Sequence, residues 1–153
     1  MEQPAGNKIT GNPSSHPALS VKWVEDFPDI PLNRNEAYKL RVTSKGVEIE
    51  AITETGVYRA IQTLRQLTEK KGNGIAITGC EITDWPAFRI RGFMQDVGRT
   101  YISTDELKRE IAILARYKIN VFHWHLTENQ AWRLQSKAVS YTHLRAHETE
   151  ADL

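Results

Sequence analysis

Phe88-Arg89-Ile90-Arg91-Gly92-Phe93-Met94-Gln95-Asp96-Val97, Ser103-Thr104-Asp105-Glu106 and Asn120-Val121-Phe122-His123-Trp124-His125-Leu126 decide the fold. The first and third stretches are short apolar-rich runs and read as strands over Phe88 to Val97 and Asn120 to Leu126. Between them Leu107, Ile111 and Leu114 recur on one helical face. Ser-x-x-Glu ahead of that face is a capping box, which places a helix over Ser103 to Lys118. Strand, helix and strand joined by short links are normally parallel and right-handed, so an α/β sheet or barrel is expected here.

Upstream the rhythm differs. Tyr38, Leu40 and Val42 alternate with polar neighbours, Ser44-Lys45-Gly46 supplies a turn, and Val47, Ile49 and Ala51 alternate again, which predicts an antiparallel hairpin buried on one face. Val57, Ala60, Ile61, Leu64 and Leu67 then recur at helical spacing, giving a covering helix. Lys70-Lys71-Gly72 is expected to close it, because cations suit the helix C-terminus and glycine adopts the left-handed cap. Ile75-Ala76-Ile77 offers a further strand, and Trp85-Pro86 punctuates the chain. The expected organisation is a loose Gly/Pro/Ser-rich lead-in over 1–20 and a small α+β domain over 21–84. A strand-helix-strand unit follows over 85–137, then a tail over 138–153.

The whole sequence has 153 residues, room for two small domains at most. Lys and Arg number 20 against 19 Asp and Glu, so no global field recruits nucleic acid or an anionic membrane surface. No apolar run approaches the roughly 18 residues of a membrane span. Cys80 is the single cysteine, which excludes an intramolecular disulfide or a paired-cysteine metal knuckle.

Polar residues gather where the two predicted strands of the second part end, the rim that forms active sites in parallel α/β folds. Asp96 and Arg99 could present a carboxylate beside a cation, or simply form a surface ion pair. His123 and His125 fall on one face of a strand, since side chains alternate with period two. They could begin a metal site with Glu128 as a further ligand, although zinc needs three or four ligands in set geometry. Alternatively they pack under the rim and hydrogen-bond there. Trp132-Arg133 follows in an expected loop, where an aromatic face could stack on a sugar or plug the rim.

Read as strings, Asp84 to Arg99 and Lys118 to Arg133 resemble the entry strand and the second strand, with its rim loop, of the catalytic barrel of glycoside hydrolase family 20, the β-N-acetylhexosaminidases. Gly56-Val57-Tyr58-Arg59-Ala60-Ile61-Gln62-Thr63-Leu64 is similar to the heart of the small domain preceding that barrel. The resemblance runs from Tyr38 to Lys137. It implies a small α+β domain followed by the first strand-helix-strand portion of a (β/α)8 barrel. It also implies removal of terminal N-acetylglucosamine or N-acetylgalactosamine from glycans by a retaining, substrate-assisted mechanism without a cofactor or metal. In that family an adjacent Asp-Glu pair after the fourth strand supplies the orienting carboxylate and the general acid. Arg99 matches the arginine that holds hydroxyls of the terminal sugar, Glu128 the acidic residue ending strand two, and His125 is a further candidate for substrate contact. The family is also periplasmic, secreted or lysosomal in habit.

Ala87 stands where many members have arginine, Glu128-Asn129 where many have two aspartates, and Ala131 where many have glycine. A complete barrel takes about 250 residues, whereas the sequence after Arg89 holds two strands and one helix. The catalytic pair is therefore expected to be absent and the chain to lack turnover. From Ala138 onward the pattern departs from the family and reads as a non-native tail. Two other readings stay open: a glycan- or partner-binding α+β module without catalysis, and a metal-dependent hydrolase built on His123 and His125.

Overall fold

The computed structural model describes residues 8–10, 18–128 and 131–132. The chain divides into two compact units, Met1–Arg89 and Ile90–Leu153. Among the described residues no helix is long and apolar enough to cross a membrane.

The first unit opens with β1 (Lys8–Thr10) and β2 (Ala18–Trp23), both lying wholly or partly in the stretch expected to be a lead-in. A 3-10 turn at Arg34–Glu36 precedes β3 (Tyr38–Thr43) and β4 (Gly46–Ala51), which pair antiparallel with Leu40 opposite Ile49. The predicted hairpin and its period are thus present. Helix α1 runs from Glu54 to Leu67, with the Thr53 side chain accepting from the Gly56 N–H at its start. It ends earlier than expected. Thr68–Lys71 is not its last turn but β5, and Gly72, at φ 58°, turns the chain into β6 (Gly74–Thr78). The glycine that looked like a helix cap therefore closes a hairpin, for the same reason: only glycine takes positive φ without steric cost. β7 (Cys80–Asp84) completes the unit.

Two sheets result, β1-β6-β5 and β2-β4-β3-β7. The second is mixed, not purely antiparallel as the hairpin alone suggested, because β2 runs parallel to β4. Tyr38, Leu40, Val42, Val47 and Ile49 from its central strands are buried with Ala60 of α1, and Val57, Ile61 and Leu64 pack against them. Gly56 is the point of closest approach. A Cβ there would lie 2.5 Å from the Ala37 carbonyl oxygen and 3.1 Å from Ala51 Cβ. Two buried polar arrangements key the layer. Arg59 of α1 donates to Glu36 at 2.9 Å, and the Tyr38 hydroxyl donates to Asp84 at 2.8 Å while meeting the Thr63 hydroxyl at 2.6 Å. Burial pushes the Tyr38 phenol well above its ordinary pKa. The opposite face of the sheet carries exposed ion pairs such as Lys22–Glu50 and Arg41–Glu81, as alternation requires.

The second unit contains β8 (Gly92–Asp96), α2 (Thr104–Arg116) and β9 (Val121–His125), followed by a short hairpin of β10 (Thr127–Glu128) and β11 (Ala131–Trp132). β8 and β9 are parallel, as expected, with Asp96 opposite His125. Both strands are shorter than their apolar runs. Trp132, expected in a loop, lies on β11. The capping box is present: Ser103 accepts from the Glu106 N–H and Glu106 accepts from the Ser103 N–H. Lys118, in the left-handed conformation at φ 63°, ends the helix. Its carbonyl accepts from Arg91 Nε at 2.8 Å, while Asn120 Oδ1 accepts from the Arg91 N–H at 2.8 Å, so the strand starts are pinned together. Residues of the expected tail over 138–153 lie outside the described residues.

Candidate functional site

At the opposite, C-terminal ends of β8 and β9 the backbone ladder continues one step further, with the Val97 N–H donating to the His125 carbonyl at 3.0 Å. Val97 is buried. The chain then turns on the Asp96 side chain: Oδ1 accepts from the Gly98 N–H at 2.8 Å and from the Arg99 N–H at 3.1 Å. This local side-chain-to-backbone bonding is typical of aspartate and forms a tight turn directly after a strand. Burial alone would raise the Asp96 pKa. The N–H donors of Arg99 and Gly98, together with His125, outweigh it and hold the carboxyl below its ordinary value.

Arg99 leaves this turn with its guanidinium between two carboxylates. Nε lies 3.4 Å from Asp96 Oδ2, and Nη2 lies 3.5 Å from Glu128 Oε2. The Arg99 side chain is largely exposed, at 70%, whereas both acidic side chains are about three-quarters covered, at 22% and 24% exposure. Glu128 reaches the guanidinium from β10, so the hairpin after β9 rather than the strand itself presents it. Gly98 is buried beneath that contact. A Cβ on Gly98 would stand 2.8 Å from Glu128 Cβ and 3.1 Å from its backbone nitrogen.

His125 Nδ1 lies 3.4 Å from Asp96 Oδ1 but makes no hydrogen bond in the arrangement described. His123 and His125 share a strand face as predicted, their rings 6.1 Å apart and nearly perpendicular. The residues whose donor atoms converge are, however, Asp96, His125 and Glu128, within 4.8 Å of one another, and His123 is not among them. This trio does not fit a dication. The Arg99 guanidinium already lies between its two carboxylates, and a metal ion there would face that fixed positive charge at short range.

The arrangement offers a planar set of N–H donors, a carboxylate acceptor and an imidazole on one rim. Such groups can donate to and accept from hydroxyl groups. Arg99, Glu128 and His125, the three candidates for substrate contact that the family resemblance marked, are brought together. Asp96 was legible as a carboxylate presented beside Arg99 or as its surface ion-pair partner, but not as the anchor of the turn, and Gly98 gave no signal beyond being glycine. The Trp132 and Arg133 side chains lie outside what is described.

Two family models match the chain. "Glycosyl hydrolase family 20, domain 2" covers residues 4–85, and "Glycosyl hydrolase family 20, catalytic domain" covers residues 88–151, running into the stretch expected to be a foreign tail. The chain is 40% identical to a beta-hexosaminidase of Porphyromonas gingivalis, over 99% of this chain and 19% of that protein. It is also 40% identical to a beta-N-acetylhexosaminidase of Cellulomonas fimi, over 76% of this chain and 24% of that protein. A GH20 exo beta-N-acetylglucosaminidase from Vibrio harveyi, solved in complex with N-acetylglucosamine, superposes with a TM-score of 0.70. It is 35% identical and covers 84% of this chain and 19% of that one. The chain therefore spans about a fifth of the length of these relatives.

Proposed function

The chain belongs to glycosyl hydrolase family 20, and from that premise we propose that it forms the small α+β domain and the opening of the catalytic barrel of a β-N-acetylhexosaminidase. The substrate class is a glycan ending in N-acetylglucosamine or N-acetylgalactosamine. Hydrolysis proceeds with retention, the substrate's own acetamido oxygen attacking the anomeric carbon. In this reading Arg99 donates to hydroxyls of the terminal sugar, Glu128 accepts from them, and His125 lines the same rim. The observation that carries it is the Arg99–Glu128 pair, held 3.5 Å apart at the C-terminal ends of two parallel strands. That is where sites form in barrels of this kind.

Binding hydroxyls is only part of the reaction. The mechanism also needs an acid for the leaving oxygen and a carboxylate that steadies the acetamido group. Asp105-Glu106 is an adjacent Asp-Glu pair in these 153 residues, but Glu106 is committed to the Ser103 N–H and hydroxyl at the start of α2. The chain by itself is therefore a substrate-gripping portion without turnover. The test is chromophore release from an aryl N-acetylglucosaminide. The product of the complete source gene is expected to release it and the 153-residue chain is not. Release by the chain, or none by the complete product, contradicts the reading.

A further inference from the structure

Two neighbouring residues, Asp96 and Gly98, bound the gap between Arg99 and Glu128. Asp96 ties down the backbone after β8 through the Gly98 and Arg99 N–H groups, and its second oxygen lies 3.4 Å from Arg99 Nε. The same carboxylate thus fixes where the Arg99 backbone leaves the strand and which way its side chain points. Gly98 governs the other half. It is buried, and the space where a Cβ would stand is filled by Glu128 Cβ and the Glu128 backbone nitrogen. A side chain at 98 would force the turn and β10 apart, and with them the Glu128 backbone that presents the carboxylate. Gly98 has no positive φ, so the requirement is for space alone.

The geometry points to Asp96 and Gly98 as positioning residues: together they hold Arg99 and Glu128 at a fixed separation before any ligand arrives. That this separation serves a sugar rests on the reading above, but the arrangement does not. Preorganisation of this kind matters because a binding constellation loses its grip when its members are misplaced by a fraction of an ångström. An alanine at 98 would displace Glu128 from Arg99. Asn at 96 would keep an oxygen for the two N–H groups but remove the charge facing the guanidinium.

The experiment is an acid titration of the 153-residue chain followed by NMR. The charged or titratable groups facing Asp96 are Arg99 and His125, with Glu128 beyond the guanidinium. The Gly98 and Arg99 amide protons are expected to move together, with one shared midpoint below the ordinary aspartate value of 3.8. A nuclear Overhauser contact between Gly98 Hα and Glu128 Hβ is expected at neutral pH. In Asp96→Asn the shared acid step disappears while the Val97 amide stays protected by its bond to His125. In Gly98→Ala the acid step persists, and the Overhauser contact between the position-98 Hα and Glu128 Hβ weakens several-fold. Amides that titrate independently, an acid step that survives Asp96→Asn, or no contact between Gly98 and Glu128 in the parent overturns the proposal. None of these readouts depends on sugar or turnover, so their failure is distinct from failure of the hexosaminidase reading.

Discussion

The two units bury their apolar residues to very different extents. In the first, Leu40, Ile49 and Ile30 are fully buried and Tyr38 nearly so, and α1 covers the central strands. In the second, Val97 and Leu107 are the buried apolar residues among those described, while Met94 and Trp124 are 56% and 47% exposed on opposite faces of the β8–β9 pair. An open groove of about 440 Å³ lies along α2, lined by Phe93, Glu106, Arg109, Ile113 and Leu114 among others. The first unit has a closed core, whereas the described residues of the second carry well-made polar details on a largely exposed strand pair. Local hydrogen-bond geometry, as at Asp96 or the Ser103 cap, forms from neighbours in sequence. Burial of a sheet face needs a covering layer, and among the described residues α2 alone packs beside the β8–β9 pair.

The comparison can be broken at several points. Arg59→Ala leaves Glu36 buried beside the vacated space and is expected to cost about 3–5 kcal/mol, the penalty for removing one partner of a buried pair. Urea denaturation monitored on the first unit reads it directly, and a cost near zero would mean that the core is wetter than described. Leu40→Ala removes a fully buried side chain between α1 and the sheet and is expected to cost about 3 kcal/mol in the same measurement. Gly56→Ala drives a methyl onto the Ala37 carbonyl and should cost about 1–3 kcal/mol, because the Ala37 backbone and the short Ala51 side chain leave it nowhere to go.

The smallest effect falls in the second unit. Ser103→Ala removes a cap and is expected to destabilise α2 by about 1 kcal/mol. A pH signature goes with it. The Ser103 hydroxyl, then its N–H, hold the Glu106 carboxyl below its ordinary value of 4.5. A carboxyl depressed in the folded state stabilises above its unfolded pKa, and that contribution is lost as pH falls through the folded one. Helix signal from α2 should therefore decline as pH drops below about 4.5, and this acid dependence should shrink in Ser103→Ala. An unchanged acid limb would place the dependence elsewhere.

The legible parts of the sequence are those whose signals are local. The β3–β4 hairpin shows itself by period-two alternation, and α2 by a cap whose two partners are three residues apart. β5 is invisible because Thr68-Glu69-Lys70-Lys71 is polar throughout, and only its antiparallel pairing with β6 makes it a strand. The parallel partnership of β2 with β4 is likewise a tertiary fact, since alternation marks a strand but not its neighbour. At the site, Arg99, Glu128 and His125 were marked by chemistry and by family resemblance. Gly98 was not, because its importance is the space that Glu128, thirty positions on, comes to fill.

Residue-resolved amide hydrogen exchange on the whole 153-residue chain tests the central contrast most directly. The amides of β3 and β4 are expected to be the slowest, exchanging only with global opening of their unit, and those of β8 and β9 to exchange by local opening at least tenfold faster, about 1.4 kcal/mol less protected. Equal protection of β8–β9 and β3–β4 would contradict the account, because the second unit would then be as closed as the first.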